Sequence, residues 1–244
     1  MTVQLHSTSS NALDQVFDAL VMGILSGKYP EHSRLPSERE LSKQYDTSRA
    51  TLREALSRLS AWGMVRIKRG SGIEVRPRTS WTLDVLPDYL KSAAHHAPDK
   101  LTSVLGDMLH VRRNFYVDFV RSMGARGDQS QVQWARVRAQ VARAWACRHD
   151  AHAFIKEDFE VLRSMAIEVE FLPALWMLNS FGEVYARIAL LVASVHSVPQ
   201  DYVQTYTALI NHLSNDDAEA AAGVLADYLD HHDSHMFELL EGLK

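Results

Sequence analysis

The sequence predicts a mainly α-helical protein with one small β-hairpin, and three observations carry this prediction. Apolar residues recur at helical spacing along most of the 244-residue chain. That spacing gives way to short β-rich runs only around a Gly70-Ser71-Gly72 turn. Charge is also uneven, because residues 1–78 hold 12 Lys and Arg against 8 Asp and Glu, whereas the remainder hold 14 against 22. We therefore expect two domains, a basic N-terminal one and a larger acidic helical one.

Three helices are predicted before residue 63. The first is amphipathic, carries apolar residues from Leu13 to Leu25 and ends near Gly27. The second opens at Ser37, since Glu40 follows at the three-residue spacing of a capping box. Polar residues 46–48 supply turn and N-cap chemistry for the third helix. Its apolar residues fall at i, i+3, i+4 and i+7 and are Leu52, Ala55, Leu56 and Leu59.

Residues 64–76 break the helical period and predict a hairpin. Three helices followed by such a hairpin make a winged helix-turn-helix, which is a DNA-binding fold. Arg49 and Arg53 lie one turn apart at the start of the third helix, where a recognition helix meets bases and phosphates. The hairpin tip would reach a minor groove or a flanking phosphate. The positive charge of this half agrees with DNA binding, although chance segregation of surface charge would give the same count.

The chain after Trp81 predicts an all-α bundle of six or seven helices, which is large enough to hold a ligand. The segments with helical period are 82–95, 100–124, 129–148, 151–168, 171–196, 199–214 and 216–242. We divide the chain into a winged helix-turn-helix domain at 1–77, a linker and connecting helix at 78–98, and an effector-binding and dimerisation domain at 99–244. Because the connector is short, a shift in the bundle would be transmitted to the DNA-binding half.

Several classes of protein are disfavoured by the sequence. No apolar run reaches the roughly 18–20 residues that span a bilayer, and the N-terminus lacks a signal-peptide pattern, so we expect a cytoplasmic protein. The single cysteine, Cys147, excludes an internal disulfide, and its Ala and Trp neighbours predict a buried helical thiol rather than a redox site. No triad order, phosphate-binding loop or cysteine cluster supports an enzyme.

Residues 35–75, from LPSEREL to RGSGIEV, resemble the DNA-binding domain of the GntR family of bacterial transcription regulators. The resemblance implies a homodimer that binds a short palindromic operator in double-stranded DNA. The DNA contacts that it implies are Arg39, Thr47, Ser48, Arg49, Thr51, Arg53, Arg69 and Gly70. The two threonines and the serine have an alternative role as helix caps or surface residues.

The helical half resembles the branch of this family that has six or seven C-terminal helices. Most members of that branch share a metal site made from one Asp and three His. Aligned by Phe159 and by residues 217–221, this chain has other residues at those four places, which are Lys156, Glu160, Tyr206 and Tyr228. Because a protonated Lys cannot bind a metal and Tyr is a poor substitute for imidazole, we predict no metal at this site.

A metal-free site is typical of the FadR-like part of this branch, which binds long-chain acyl-CoA in the bundle. Runs at 78–86, 111–114 and 185–188 also resemble that group. The effector-binding residues that the resemblance implies are Arg112, Asn114, Tyr185, Tyr206, Tyr228 and Ser234. The helices that could supply an apolar tunnel for an acyl chain carry Leu175, Trp176, Leu178, Phe181, Ile188, Leu190 and Leu191. The alternative is a plain bundle core in which each aromatic ring packs and its polar atom finds one partner.

The chain has twelve histidines, and His231 and His235 have the i, i+4 spacing that zinc sites use. We interpret this segment as a solvated helix face, because the general base of a zinc protease motif is missing. The resemblance thus implies a repressor or activator of fatty acid metabolism, which long-chain acyl-CoA releases from its operator. Two alternatives stay open. One is a GntR-family regulator that senses another small organic acid, with an atypical metal at these histidines, and the other is an enzyme with a nucleic-acid anchor.

Overall fold

A computed structural model of the protein describes residues 12–68, 70–124, 126, 132–192 and 198–241. These residues form two compact units that divide between Pro98 and Asp99. In chain order the elements are α1 (Ala12–Leu25), α2 (Glu38–Gln44), α3 (Arg49–Ala61), β1 (Val65–Lys68), β2 (Gly72–Val75), α4 (Leu86–His96), α5 (Pro98–Gly124), α6 (Trp134–Ala146), α7 (Ala151–Glu168), α8 (Leu172–Val192), α9 (Tyr202–Ser214) and α10 (Ala218–Glu241). The predicted mainly α-helical class with an N-terminal winged helix-turn-helix is confirmed.

The first unit is built on an apolar core shared by α1, α2, α3 and the hairpin. Leu20 of α1 and Leu52 and Leu59 of α3 are fully buried in it. The predicted capping box opens α2, since the Ser37 N–H donates to Glu40 Oε2 at 2.8 Å and the Glu40 N–H donates to Ser37 Oγ at 3.4 Å. Local capping and the burial of one apolar face thus fix the positions of α2 and α3.

The hairpin has an additional partner that the sequence pattern does not indicate. β1 and β2 pair antiparallel, with Val65 opposite Val75. Segment 32–35 then adds to the free edge of β2, where the Leu35 N–H donates to the Ile73 carbonyl and the Val75 N–H donates to the Ser33 carbonyl, each at 2.9 Å. The segment lies in a proline-containing loop with no strand periodicity, so its conformation depends on hydrogen bonds to β2.

The segment that follows the hairpin packs, within the first unit, against the residues just after α3. The Thr82 N–H donates to the Trp62 carbonyl at 3.0 Å. Gly63 has φ of 72°, and a Cβ atom there would lie 2.1 Å from the Ser80 carbonyl oxygen, so only glycine permits this approach. Two 3-10 turns occupy residues 78–80 and 83–85, and the connecting helix therefore begins at Leu86 and not at residue 82.

The described residues of the second unit form six helices, α5 to α10, and no strand. α6 packs on α7 and α9, α7 packs on α8, and α9 packs on α10. The predicted bounds of α7 agree with the structure, whereas α6 and α9 begin later than predicted. Pro98 is the first residue of α5 and follows Ala97, the C-cap of α4, so it lies at the break between these two helices, in a first turn where proline is tolerated. The ends of three predicted helices, at 129–131, 193–196 and 242, lie outside the described residues.

Cys147 is the C-cap of α6, lies just beyond the helix and is partly buried against the core of the second unit. The thiol therefore lies at the edge of the core, whereas the sequence suggests a position inside a helix.

None of the described helices combines the length and the apolar composition that crossing a membrane requires.

Candidate functional site

The candidate DNA-binding surface consists of arginines on α2 and α3. Arg39 and Arg49 are exposed, and neither forms an ion pair with a described residue. The Arg53 side chain is 68% exposed, and its Nε donates to Glu38 Oε2 at 2.8 Å, which links α3 to α2. Exposed guanidinium groups of this kind can bind phosphate oxygens or guanine edges.

The hydroxyl groups predicted to support DNA binding are used by α3 itself. Ser48 is the N-cap, and its Oγ accepts from the Thr51 N–H at 3.1 Å. The Ser48 and Thr51 hydroxyl oxygens lie 2.9 Å apart. Thr47 is half-buried immediately before the cap. The capping alternative is therefore visible in the structure, and a DNA contact from these three residues stays a prediction.

The hairpin tip is formed by glycines in the left-handed region of backbone conformation. Gly70 has φ of 78° and Gly72 has φ of 86°. A side chain at either position would strain the turn, so both glycines serve its geometry. Arg69, the predicted wing contact beside Gly70, lies outside the described residues.

A polar cluster lies inside the second unit and draws on α5, α7, α8, α9 and α10. We call it the tyrosine cluster, and its members are Arg112, Asp158, Tyr185, Tyr202, Tyr206, Tyr228 and Asp233. At its centre, Asp158 Oδ1 accepts from the Tyr202 hydroxyl at 2.9 Å and from the Tyr206 hydroxyl at 3.1 Å. The Tyr228 ring lies 6.1 Å from the Tyr206 ring, edge to face. One carboxylate oxygen therefore holds two tyrosines of α9 against α7.

Arg112 forms the charged side of the tyrosine cluster. Its Nη2 donates to Asp233 Oδ1 at 2.5 Å, and each of the two side chains is only 13% exposed. The Arg112 Nε is buried and has no hydrogen-bond partner in the described part of the chain. Tyr185 lies within electrostatic reach of this guanidinium group, and its ring is 5.5 Å from that of Phe159.

Burial dominates the electrostatics of the tyrosine cluster. It raises the pKa of Asp158 above the ordinary range, and hydrogen bonds from Tyr202 and Tyr206 offset this shift only in part. Burial also raises the pKa of Tyr206 well above its usual value, so the hydroxyl stays protonated and donates. The pKa of Asp233 is raised by burial in spite of the opposing effect of Arg112. Neutral hydroxyl donors beside a guanidinium group can bind carbonyl, carboxylate or phosphate oxygens.

The structure brings together four of the six predicted effector-binding residues, which are Arg112, Tyr185, Tyr206 and Tyr228. The other two lie apart from the tyrosine cluster. Asn114 is exposed, with its amide nitrogen 3.0 Å from His110 Nε2. Ser234 is also exposed, and its Oγ donates to the Asp230 carbonyl at 2.8 Å within α10.

Sequence reasoning missed three members of the tyrosine cluster. Tyr202 precedes Tyr206 by four residues and so shares its helix face, a spacing that could have indicated it. Asp158 and Asp233 have no such signal, because an acidic residue on a helix is ordinarily solvated. Their roles are visible only from the partners that the fold gives them.

The apolar tunnel is only partly supported by α8. Leu178 and Ile188 are buried in the bundle. Trp176 and Leu191 are 62% and 41% exposed, so they lie on the outer surface of α8 and do not line the interior. A helix packed on one side must turn part of its surface outward, and apolar composition alone does not say which part. The Leu190 side chain lies outside the described part of the chain.

A groove of about 400 Å³ opens between α7 and α8, and we call it the α7–α8 groove. It is lined by Lys156, Phe159, Glu160, Arg163, Asn179, Gly182, Tyr185 and Ala186. Glu160 pairs with Arg163 at 2.8 Å, and Arg163 Nε donates to Asn179 Oδ1 at 3.0 Å. Two of the four residues aligned with metal ligands, Lys156 and Glu160, therefore line this groove, whereas Tyr206 and Tyr228 belong to the tyrosine cluster.

The histidines of α10 do not form a metal centre with their described neighbours. His231 and His235 are exposed, and His235 Nδ1 lies 3.9 Å from Glu238 Oε2. Among the described residues, no group of three or more His, Cys, Asp and Glu side chains could hold a metal ion.

Comparison with known proteins identifies both halves of the chain. Residues 12–75 match the model of the gntR family of bacterial regulatory proteins, and residues 85–241 match that of the FadR C-terminal domain. The fatty acid metabolism regulator protein of Edwardsiella ictaluri is 30% identical over 169 residues, which are 69% of this chain and 67% of that protein. The protein of the same name from Pectobacterium carotovorum is 29% identical over 147 residues, 60% of this chain and 58% of that relative.

The fold is shared with a solved structure of Lar, which controls the expression of the Listeria monocytogenes agr system and mediates virulence. The two are 12% identical and superpose with a TM-score of 0.59 over 98% of this chain and 100% of that one. The family matches cover both units, and the proteins of this family are regulators and not enzymes. The chain therefore belongs to the gntR family of bacterial transcription regulators, with a DNA-binding winged helix-turn-helix followed by a FadR C-terminal domain.

Proposed function

We propose that this protein is a homodimeric regulator of fatty acid metabolism that leaves its operator when long-chain acyl-CoA binds at the tyrosine cluster. The observation that carries the proposal is the convergence of Arg112 with the hydroxyls of Tyr206 and Tyr202 inside a domain of the FadR type. The relatives named as fatty acid metabolism regulators support the choice of pathway.

The chemistry of the tyrosine cluster suits the polar end of an acyl ligand. Burying polar side chains in an apolar core costs free energy unless each finds a partner. The Arg112 Nε has none among the described residues, so a ligand oxygen would complete its hydrogen bonding. A buried apolar residue nearby, Phe154, whose ring lies 5.0 Å from that of Tyr202, would contact the chain of the ligand.

Ligand binding at this place would change contacts between helices. Tyr206 connects α9 to Asp158 on α7, and Arg112 connects α5 to Asp233 on α10. A ligand oxygen that accepted a hydrogen bond from the Tyr206 hydroxyl or from Arg112 would weaken one of these connections between helices. Binding would then favour another arrangement of the bundle. Operator affinity would fall if the second arrangement set the two recognition helices of a homodimer at the wrong spacing.

A DNA-binding titration with the full-length chain tests the proposal. The operator is first selected from random duplexes, and its affinity is measured by fluorescence anisotropy with and without palmitoyl-CoA. We expect palmitoyl-CoA to weaken operator binding at least about tenfold, which corresponds to a coupling free energy of about 1.4 kcal/mol. Free CoA is the control and should have no effect.

Two further measurements separate the parts of the proposal. Arg112→Gln keeps an N–H donor that can serve Asp233, so it should fold and bind the operator, and it should lose the response to palmitoyl-CoA. Light scattering should give twice the chain mass of 27.5 kDa. Operator binding that palmitoyl-CoA leaves unchanged would refute the acyl-CoA effector and leave DNA binding intact, and other small organic acids would then be tested in the same assay.

A further inference from the structure

The α7–α8 groove adjoins the tyrosine cluster, because Tyr185 belongs to both. On the α7 side, Lys156, Glu160 and Arg163 follow one another at i, i+4 and i+7 and so share a helix face. The phenol ring of Tyr185 packs on Phe159 in the groove, and its hydroxyl lies near Arg112. A ligand that binds at the tyrosine cluster and is too long to fit within it could therefore extend past Tyr185 into this groove.

The charges that line the α7–α8 groove leave one cation available. The Glu160 carboxylate accepts from Arg163 Nη1 at 2.8 Å, so these two charges neutralise each other. Lys156 is exposed and forms no ion pair with a described residue. The chain beyond residue 78 holds 14 Lys and Arg against 22 Asp and Glu, so a groove with excess positive charge stands out in an acidic domain.

The shape of the α7–α8 groove suits an extended ligand. Its volume of about 400 Å³ falls within the range of small-molecule sites. Phe159 and Tyr185 form an apolar floor, and a Cβ atom at Gly182 would lie 3.1 Å from the Phe159 ring. Glycine at 182 therefore lets the Phe159 ring approach α8 closely. The floor is apolar and the rim is charged, an arrangement that matches a phosphorylated group attached to a less polar arm.

We propose that the α7–α8 groove binds the phosphorylated head of the effector, with the Lys156 ammonium group paired to phosphate oxygens. The acyl end then lies at the tyrosine cluster on the other side of Tyr185. This inference rests on the proposed function, and it assigns the head group to a site that the acyl end does not use.

Calorimetric binding of two ligands to the full-length protein tests the assignment. Palmitoyl-CoA carries the phosphates, and palmitate presents the same chain without them. Lys156→Gln should weaken palmitoyl-CoA binding about tenfold, since a charge-assisted pair is lost, and should change palmitate binding less than about twofold. Lys156→Arg should restore palmitoyl-CoA affinity. Lys100→Gln removes the same charge from an exposed position on α5 and serves as the matched control.

The outcomes distinguish failure of the inference from failure of the proposed function. If the wild type binds palmitoyl-CoA and Lys156→Gln binds it equally well, the head-group site is refuted alone. The head-group site is also refuted alone if Lys156→Gln weakens the binding of palmitoyl-CoA and of palmitate to the same extent. If the wild type binds neither ligand, the proposed function and this inference both fail. Added salt should weaken palmitoyl-CoA binding to the wild type more than to Lys156→Gln.

Discussion

Arg49 and Arg112 show how differently the two units hold their charged groups. Arg49 is exposed at the start of α3 and pairs with no described residue. Arg112 is buried on α5 and pairs with Asp233. A functional group at the surface can be removed without disturbing the fold, whereas an interior group contributes to both folding and binding. A substitution should therefore separate stability from function at Arg49 and not at Arg112.

The largest expected effect is the loss of the buried ion pair. Arg112→Met leaves Asp233 buried without its partner and should lower the free energy of unfolding by about 3–5 kcal/mol. The neighbouring Arg113 pairs with Asp230, which is also on α10 but more exposed, so Arg113→Met should cost less than about 1 kcal/mol. Urea unfolding of both variants measures the difference. Equal losses would show that burial does not distinguish the two pairs.

Removal of the central acceptor should have the next largest effect. Asp158→Ala leaves the Tyr202 and Tyr206 hydroxyls without their acceptor and should lower the free energy of unfolding by about 2–4 kcal/mol. Asp158→Asn keeps an acceptor oxygen at this position and should cost less. If the two variants lost the same free energy in urea unfolding, the hydrogen bonds would contribute nothing.

The raised pKa of Asp158 predicts a pH dependence of stability. An unfolded Asp has a pKa of about 3.9, and the folded value is higher, so the folded state binds this proton more tightly. The stabilisation from that proton is complete below the unfolded pKa and is lost as pH rises through the folded pKa. Asp158→Asn cannot undergo this loss, so its stability relative to the wild type should rise in the pH range above the unfolded pKa of about 3.9.

Urea unfolding of the wild type and Asp158→Asn at several pH values in that window measures the trend. A relative stability that falls with pH would mean that the folded structure favours the Asp158 carboxylate.

On the surface of the first unit, Arg49→Gln should weaken operator binding by about 1–3 kcal/mol. The melting temperature of this variant should equal that of the wild type, because the Arg49 side chain is exposed and pairs with no described residue. Anisotropy titration and thermal melting give the two quantities. Arg121→Gln, an exposed charge of the second unit, is the control and should bind DNA like the wild type.

The smallest expected effect is at the N-cap of α3. Ser48→Ala removes the acceptor for the Thr51 N–H and should cost about 1 kcal/mol of stability. Ser48→Asp keeps a capping oxygen and adds a charge that repels phosphate, so it should keep stability and lose DNA affinity. A loss of operator affinity by Ser48→Ala beyond its loss of stability would indicate a direct DNA contact.

Local sequence rules predict the first unit well and the second only in outline. The Ser37 capping box, the apolar face of α3 and the Gly70-Ser71-Gly72 turn each depend on residues within seven positions of one another. Segment 32–35 was not predicted, because its pairing with β2 joins residues about 40 positions apart.

The candidate effector site shows the same limit more strongly. Asp158 accepts hydrogen bonds from Tyr202 and Tyr206, which lie more than 40 residues away in sequence. No local pattern could therefore indicate this role. The family resemblance suggested Tyr206 and Arg112, which both lie in the tyrosine cluster. It also suggested Asn114, which lies two residues after Arg112 and therefore on a different side of the helix, at the surface.

The close approach of Gly63 to Ser80 decides where the DNA-binding half can be cut. Trp81, Val85 and Tyr89 pack against the same core as α1 and α3. A fragment that stopped at residue 77 would expose this part of the core to water, and it should aggregate or melt early. A fragment that ran through Pro98 would retain the contacts, so it is the better choice for isotope labelling or crystallisation of the DNA-binding half alone.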